Sequence, residues 1–327
     1  MIETFDFGWG EPFCVREALK HYYKRKPLSR VNIDDMGYCA NEGDLELISL
    51  TRMFIKETTG IDYKYILITH GTTGALNIVL RVLKNVENKK TCYTHKYHFP
   101  YYPGIIAKNG YKQKYGLYKN HEEELAQKGT VGIVDSPSNP EGDLLLYTDA
   151  QNNIIWDSVY HNPVFLNTIP VTPDHRVNCG SYSKVFGITG ARVGWIATNN
   201  LEDYRLFMKE NTYENCTMSF AGQNLVKDII VNTDLENFMR SSKYRINNNR
   251  EMFEKISYLF DGQSVPENGM FYAAWASPYT SRLLDKIGFK YVEIDSQGND
   301  KFLRFNLAQT NNLTKKAIRY TMREDAV

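Results

Sequence analysis

Gly180-Ser-Tyr-Ser-Lys-Val-Phe-Gly-Ile-Thr-Gly-Ala-Arg-Val-Gly-Trp195 sets one lysine, Lys184, among small hydroxyl residues and glycines, with an arginine eight positions on. Strand-like runs flank it, Arg176–Cys179 before and Val193–Ala197 after. A lysine whose ammonium is destabilised, by burial or by neighbouring cations, becomes an amine that attacks carbonyls, as Schiff-base chemistry requires. Ser181, Ser183 and Arg192 supply hydroxyl and guanidinium donors of the kind a phosphate takes. The plainer reading is a surface loop with ordinary charges. The rest of the chain decides between the two.

Outward from this segment, the apolar runs Tyr65–Thr69 and Val131–Asp135 read as buried strands, and Asn153–Trp156 as a further one. Helical patterns alternate with them over Asp44–Thr58, Thr73–Leu83 and Leu201–Tyr213. This alternation predicts an α/β fold with a mostly parallel central sheet and helices on both faces. After about Phe220 the pattern changes. Helices over Gly222–Val231 and Leu235–Leu259 precede strands Met270–Trp275 and Phe302–Asn306. A last helix spans Asn312–Arg323, with no obvious cap. These elements, with an N-terminal helix over Pro12–Lys26, predict a smaller α+β domain. The expected division is residues 40–220 for the large domain and 1–39 plus 221–327 for the small one.

Other segments carry chemistry in the same direction. Asp157 ends the run Ile154-Ile-Trp-Asp157, and the carboxyl end of a parallel strand opens on the crevice where α/β proteins bind ligands. It equally suits a helix N-cap. Thr69-His-Gly-Thr-Thr-Gly-Ala-Leu76 leaves a strand and opens a helix, whose first N–H groups form a phosphate cradle. Asp135-Ser-Pro-Ser-Asn-Pro-Glu-Gly142 is at least a turn. Arg304 stands in the apolar strand Phe302-Leu-Arg-Phe-Asn306, where a buried cation needs a partner.

In this order and spacing, from about Phe7 to Leu307, the segments resemble the fold-type-I pyridoxal 5′-phosphate (PLP) aminotransferases of classes I and II. The resemblance implies that Lys184 holds PLP as a Schiff base and that Ser181, Ser183, Arg192, Gly71, Thr72 and Thr73 bind the phosphate. It puts Asp157 at the pyridine nitrogen and Asn139 and Tyr160 at the phenolic oxygen. In the loop Phe99-Pro-Tyr-Tyr-Pro-Gly104 it implies a stacking ring, assigned to Tyr102. Arg304 would clamp the substrate carboxylate, with Gly10 and Asn139 also facing substrate. Tyr38, five residues before Gly43, would reach the phosphate of a neighbouring subunit, which implies a homodimer with shared sites. The activity implied is transfer of an amino group from an amino acid to a 2-oxo acid. Carbon–sulfur lyase, decarboxylase and non-catalytic PLP-binding roles share these residues and stay open. Two features depart from the family pattern. Asn268 replaces the first glycine of the P-x-G-G element, and the Asn139–Asp157 and Asp157–Lys184 intervals are short.

Composition limits the partners. Lys plus Arg number 39 against 38 Asp plus Glu in 327 residues, so no field favours nucleic acid or an anionic membrane. No apolar stretch approaches membrane length. Five scattered cysteines without a CxxC pair indicate neither zinc nor a disulfide framework. No signal peptide is visible at the start, and a cytoplasmic location is expected. His95-x-x-His98 could ligate metal only if helical and supplied with a further ligand, so no metal is expected. The basic run His21–Lys26 reads as a solvated helix end, where cations complement the dipole.

Overall fold

The computed structural model describes residues 4–24, 37–116, 129–145, 153–170, 175–261 and 263–326. A short strand β1 (Phe5–Asp6) and helix α1 (Phe13–Tyr22) lead to α2 (Leu45–Thr59), whose N-cap Asp44 accepts from Leu47 N–H. Then come β2 (Tyr65–Thr69), α3 (Gly71–Glu87), β3 (Thr91–Thr94), α4 (Tyr102–Lys108) and β4 (Lys112–Tyr115). β5 (Thr130–Asp135), β6 (Ile154–Asp157) and β7 (Val177–Ser181) follow, then the single turn α5 (Tyr182–Val185) and β8 (Gly194–Thr198). Helix α6 (Leu201–Asn215) packs back against β2.

These seven strands form one sheet in the order β2-β8-β7-β6-β5-β3-β4. Strands β4, β3, β5, β6 and β7 are parallel, and β8 runs against both its neighbours. Side chains alternate across the pleat. Ile66 and Ile68 of β2, with Trp195 and Ala197 of β8, join one core, while Leu67 and Ile196 join another that holds α3 residues and Phe207 of α6. Helices therefore cover both faces, as the sequence alternation requires.

The remaining chain is α7 (Phe220–Asn232), α8 (Leu235–Glu254), β9 (Phe271–Ala276), α9 (Pro278–Lys286), β10 (Phe289–Lys290), β11 (Val292–Gln297), β12 (Asp300–Asn306) and α10 (Asn311–Asp325). Strands β11, β12 and β9 form an antiparallel sheet, and β1 pairs with β10. This is the smaller α+β domain.

Two helix ends fall short of expectation for a tertiary reason, and one helix has a cap that was not expected. Helix α8 stops at Glu254 instead of Leu259 because Phe260 bridges to Ala276 and Asp261 N–H bonds Trp275 O at 3.0 Å. Helix α1 stops at Tyr22 because Tyr23 pairs with Thr233; Arg25 and Lys26 of the basic run lie outside the described residues. The last helix is capped after all, by Thr310, whose side chain accepts from Leu313 N–H. His95 and His98 follow β3 in a non-helical turn. Among the described residues no group of three or more His, Cys, Asp or Glu is placed to hold a metal, and no helix is long and apolar enough to cross a membrane.

Candidate active site

Strands β2, β5, β6 and β7 all end at the same rim of the sheet, with Thr69, Asp135, Asp157 and Ser181 as their last residues. Parallel strands bring their carboxyl ends together there, which is where ligands settle in α/β folds. A cavity of about 480 Å³ opens at this rim. Among its walls are Thr72, Thr73, Tyr102, Asp135, Asp157, Tyr160, Ser181, Ser183, Lys184 and Arg192. A second cavity, about 750 Å³, shares Lys184, Tyr160 and Phe99 with the first and adds Trp9, Gly10, Asn139 and Arg304. Lys184 stands on the wall common to both.

Lys184 sits in α5, the single turn that Ser181 caps by accepting from Ser183 N–H at 3.1 Å. Its Nζ donates to Gly10 O at 2.5 Å. Burial, helped by the Arg304, Arg192 and Arg16 guanidinium groups and opposed by Glu11, lowers its pKa to about 8. A surface lysine would hold its proton up to about 10.5. Ser181 Oγ lies 2.8 Å from Ser183 Oγ and 2.9 Å from Val193 O. Arg192 adopts φ +54° and bonds Thr189 O at 3.0 Å. Gly71 is at φ +65°, and a Cβ there would come within 2.9 Å of Arg192 Nη2. Glycine is required on both counts, strain and close approach. Thr72 Oγ1 is buried without a partner.

Asp157 is buried, and burial raises its pKa to about 6 against the lowering effect of the Tyr102 hydrogen bond. Its Oδ2 accepts from the Tyr102 hydroxyl at 2.8 Å and its Oδ1 from Val159 N–H at 3.1 Å. Tyr102 thus lies in the cavity wall with its hydroxyl committed to Asp157. Phe99, three residues earlier, lines both cavities and was passed over in the sequence. Only its place at the head of the aromatic loop signalled it. Tyr160 is buried, and its pKa is raised mainly by that burial.

Arg304 on β12 is buried beneath the second cavity. Its Nη1 donates to Asn139 Oδ1 at 3.1 Å, its Nη2 to Gly8 O at 3.3 Å, and its guanidinium carbon lies 4.3 Å from the Phe271 ring centroid. Its Nε has no partner, and burial lowers its pKa. Two residues along the strand, Asn306 Nδ2 donates to Trp9 O and Glu11 O, both at 2.7 Å. Thr189 donates to Glu11 at 2.6 Å, and Arg16 pairs with the same carboxylate. Asn306, Glu11 and Thr189 escaped the sequence reading because each acts by holding the 8–11 loop, a contact without local signature. The loop Asn139–Gly142 is held from below: Gly142 has φ +78°, and a Cβ there would meet Asn268 O at 2.4 Å. Asn268, the departure from the P-x-G-G element, accepts from Asn167 N–H at 3.0 Å. Tyr38 is 89% exposed and lines none of these cavities.

A family model described as aminotransferase class I and II matches residues 5–320. The chain belongs to the class I and II aminotransferase family. Solved structures of the same fold include the aspartate aminotransferase of Thermus thermophilus, in a tetra mutant complexed with tryptophan. That structure has a TM-score of 0.76 at 15% identity, covering 99% of this chain and 92% of that one. An aminotransferase from Mycobacterium tuberculosis gives 0.74 at 17% identity over 98% and 90%. A Methanococcus jannaschii protein, described as similar in its active site to kynurenine aminotransferases, gives 0.75 at 17% over 98% and 90%.

Members of this family depend on PLP, and the aminotransferase fold presented here fits that group. PLP carries a phosphate, an aldehyde and a protonatable ring nitrogen. The first cavity offers an orphaned buried hydroxyl at Thr72, the Gly71–Arg192 approach, an amine of lowered basicity at Lys184 and a buried carboxyl at Asp157.

Proposed function

We propose that this chain transfers an amino group from an amino acid to a 2-oxo acid, with PLP anchored covalently through Lys184. One observation carries the reading. The lysine of lowered pKa stands on the wall shared by a cavity with phosphate donors and a cavity whose base is the buried Arg304.

In this reading Thr72, Thr73, Ser181, Ser183 and Arg192 hold the phosphate, with Gly71 giving way to Arg192. Asp157 faces the ring nitrogen, and Asn139 and Tyr160 serve the phenolic oxygen. Tyr102 keeps Asp157 oriented through its hydroxyl, and Tyr102 or Phe99 supplies the ring face. When bound, PLP supplies the electron sink that lets an amino acid lose its α-proton. Arg304 receives the substrate carboxylate bidentately, giving up its contact to Gly8 O, while Asn139 Oδ1 and the Phe271 ring hold the guanidinium plane. Gly10 and Trp9 close that cavity. Lys184 Nζ, released from Gly10 O, takes the α-proton as general base and returns it as general acid. A two-fold dimer completed by the partner's Tyr38 belongs to the same proposal and is supported here by that ring's exposure. So does the division at about residues 40 and 220. A reducing, cytoplasmic setting accords with five free cysteines.

The test is spectroscopic. PLP added to the purified chain should give a near-visible absorption band that Lys184→Ala abolishes. An amino acid should then bleach the band and leave pyridoxamine phosphate plus a keto acid. An unchanged band in the variant rejects the lysine assignment, and release of ammonia and pyruvate would replace transfer by elimination.

A further inference from the structure

The first cavity holds a second buried carboxyl that the amino-transfer reading does not use. Asp135 ends β5 directly beside Asp157 at the end of β6, its register partner in a parallel pair. Neighbouring strands lie about 4.8 Å apart, and both side chains are buried. Two adjacent buried carboxyls cannot both be ionised without a cation between them. The hydrogen bonds say which one keeps the proton. Asp157 receives two donors, the Tyr102 hydroxyl and Val159 N–H, one on each oxygen. From the rest of the chain Asp135 receives one donor, Asn139 N–H, on Oδ2 at 2.9 Å, beside a weaker contact to its own N–H, and its Oδ1 is buried without a partner. Donors favour the ionised form, so Asp157 carries the charge and Oδ1 of Asp135 is the atom left for the proton.

We propose that Asp135 is a positioning residue kept in its acid form, so that the cofactor site holds a single negative charge, on Asp157, at the place of the ring nitrogen. The groups facing Asp135 are Asp157 from β6, Tyr102 from α4, Tyr160 from the turn after β6 and Glu141 from its own loop. None of these is a cation. Burial and the Asp157 charge raise the Asp135 pKa to about 8, with Asn139 N–H opposing. Deprotonation sends the Oδ1 proton to solvent and doubles the charge beside the ring nitrogen.

The role at the ring nitrogen rests on the reading of Asp157 given above; the protonation of Asp135 does not. Infrared spectra of the cofactor-free protein at neutral pH should show a buried protonated-carboxyl band that Asp135→Asn removes. A band that survives in that variant, or no such band in the natural chain, overturns the proposal. Should the Asp135 variant fail to fold, carboxyl-carbon NMR of the unaltered protein decides: one aspartate losing its proton near pH 8 supports it, and all aspartates ionised at neutral pH overturn it. The second arm uses 4′-deoxypyridoxine 5′-phosphate, which has the phosphate and ring nitrogen but no aldehyde. Between about pH 7 and about pH 9 its affinity for the natural chain, relative to Asp135→Asn, should rise roughly tenfold. A flat ratio overturns the positioning role. A probe that binds neither protein defeats the cofactor reading instead, and with it that role, while the infrared result still stands.

Discussion

Lys184 shows how one residue reconciles opposing demands. Its pKa of about 8 lies below the 10.5 of an ordinary lysine, because burial and three arginines disfavour the ammonium. Between those two values the unfolded chain binds a proton that the folded chain does not, so folding stability rises with pH across that window. At pH 7 both states are protonated and the folded state bears the full cost. Lys184→Ala should therefore stabilise the cofactor-free protein at pH 7 by about 1–3 kcal/mol, less the lost bond to Gly10 O. Denaturant curves should show the gain shrinking as pH climbs from about 8 to 10.5. A variant no more stable at pH 7 would mean the lysine is not strained by its site. Arg304 makes the complementary case. It is fixed by Asn139, Gly8 and the Phe271 ring in a fork that an ammonium cannot copy. Arg304→Lys should lower kcat/KM about 10- to 100-fold, mostly through KM. Unchanged kinetics would remove it from substrate binding.

At the level of elements, the predicted strands and helices form, whereas several ends answered to distant partners and a number of short elements, such as α4, α9 and β11, carried no clear local signal. The β2 pattern Tyr65–Thr69 appears unaltered, since alternate side chains have a core on each face. Strands β3 and β4 escaped notice: each has four residues, and Lys112–Tyr115 is polar and lies at the sheet edge. Helix α10 gives a direct test of its unexpected cap. Thr310→Ala should cost about 1 kcal/mol by thermal or denaturant unfolding, with cofactor affinity unmoved. A loss below a few tenths would show that Leu313 N–H is satisfied otherwise.

In the whole molecule, one hydrophobic core joins Ile68 of β2 and Trp195 of β8 to Phe253 of α8 and Phe305 of β12. The large sheet and the smaller domain therefore cannot shed their apolar contacts independently. Calorimetry of the cofactor-free chain should give a single cooperative transition; two resolved transitions would contradict the shared core. By itself the sequence determined the α/β alternation and the smaller α+β segment, because periodicity is a local property of the chain; the order of its short motifs carried the family resemblance, which named many of the residues that line the first cavity. Only the tertiary structure decided that Asp135 faces Asp157, that Phe99 lines both cavities and that Asn306 and Glu11 secure the 8–11 loop. Those relations join residues tens to hundreds of positions apart, and strand register, burial and hydrogen bonding across the rim create them.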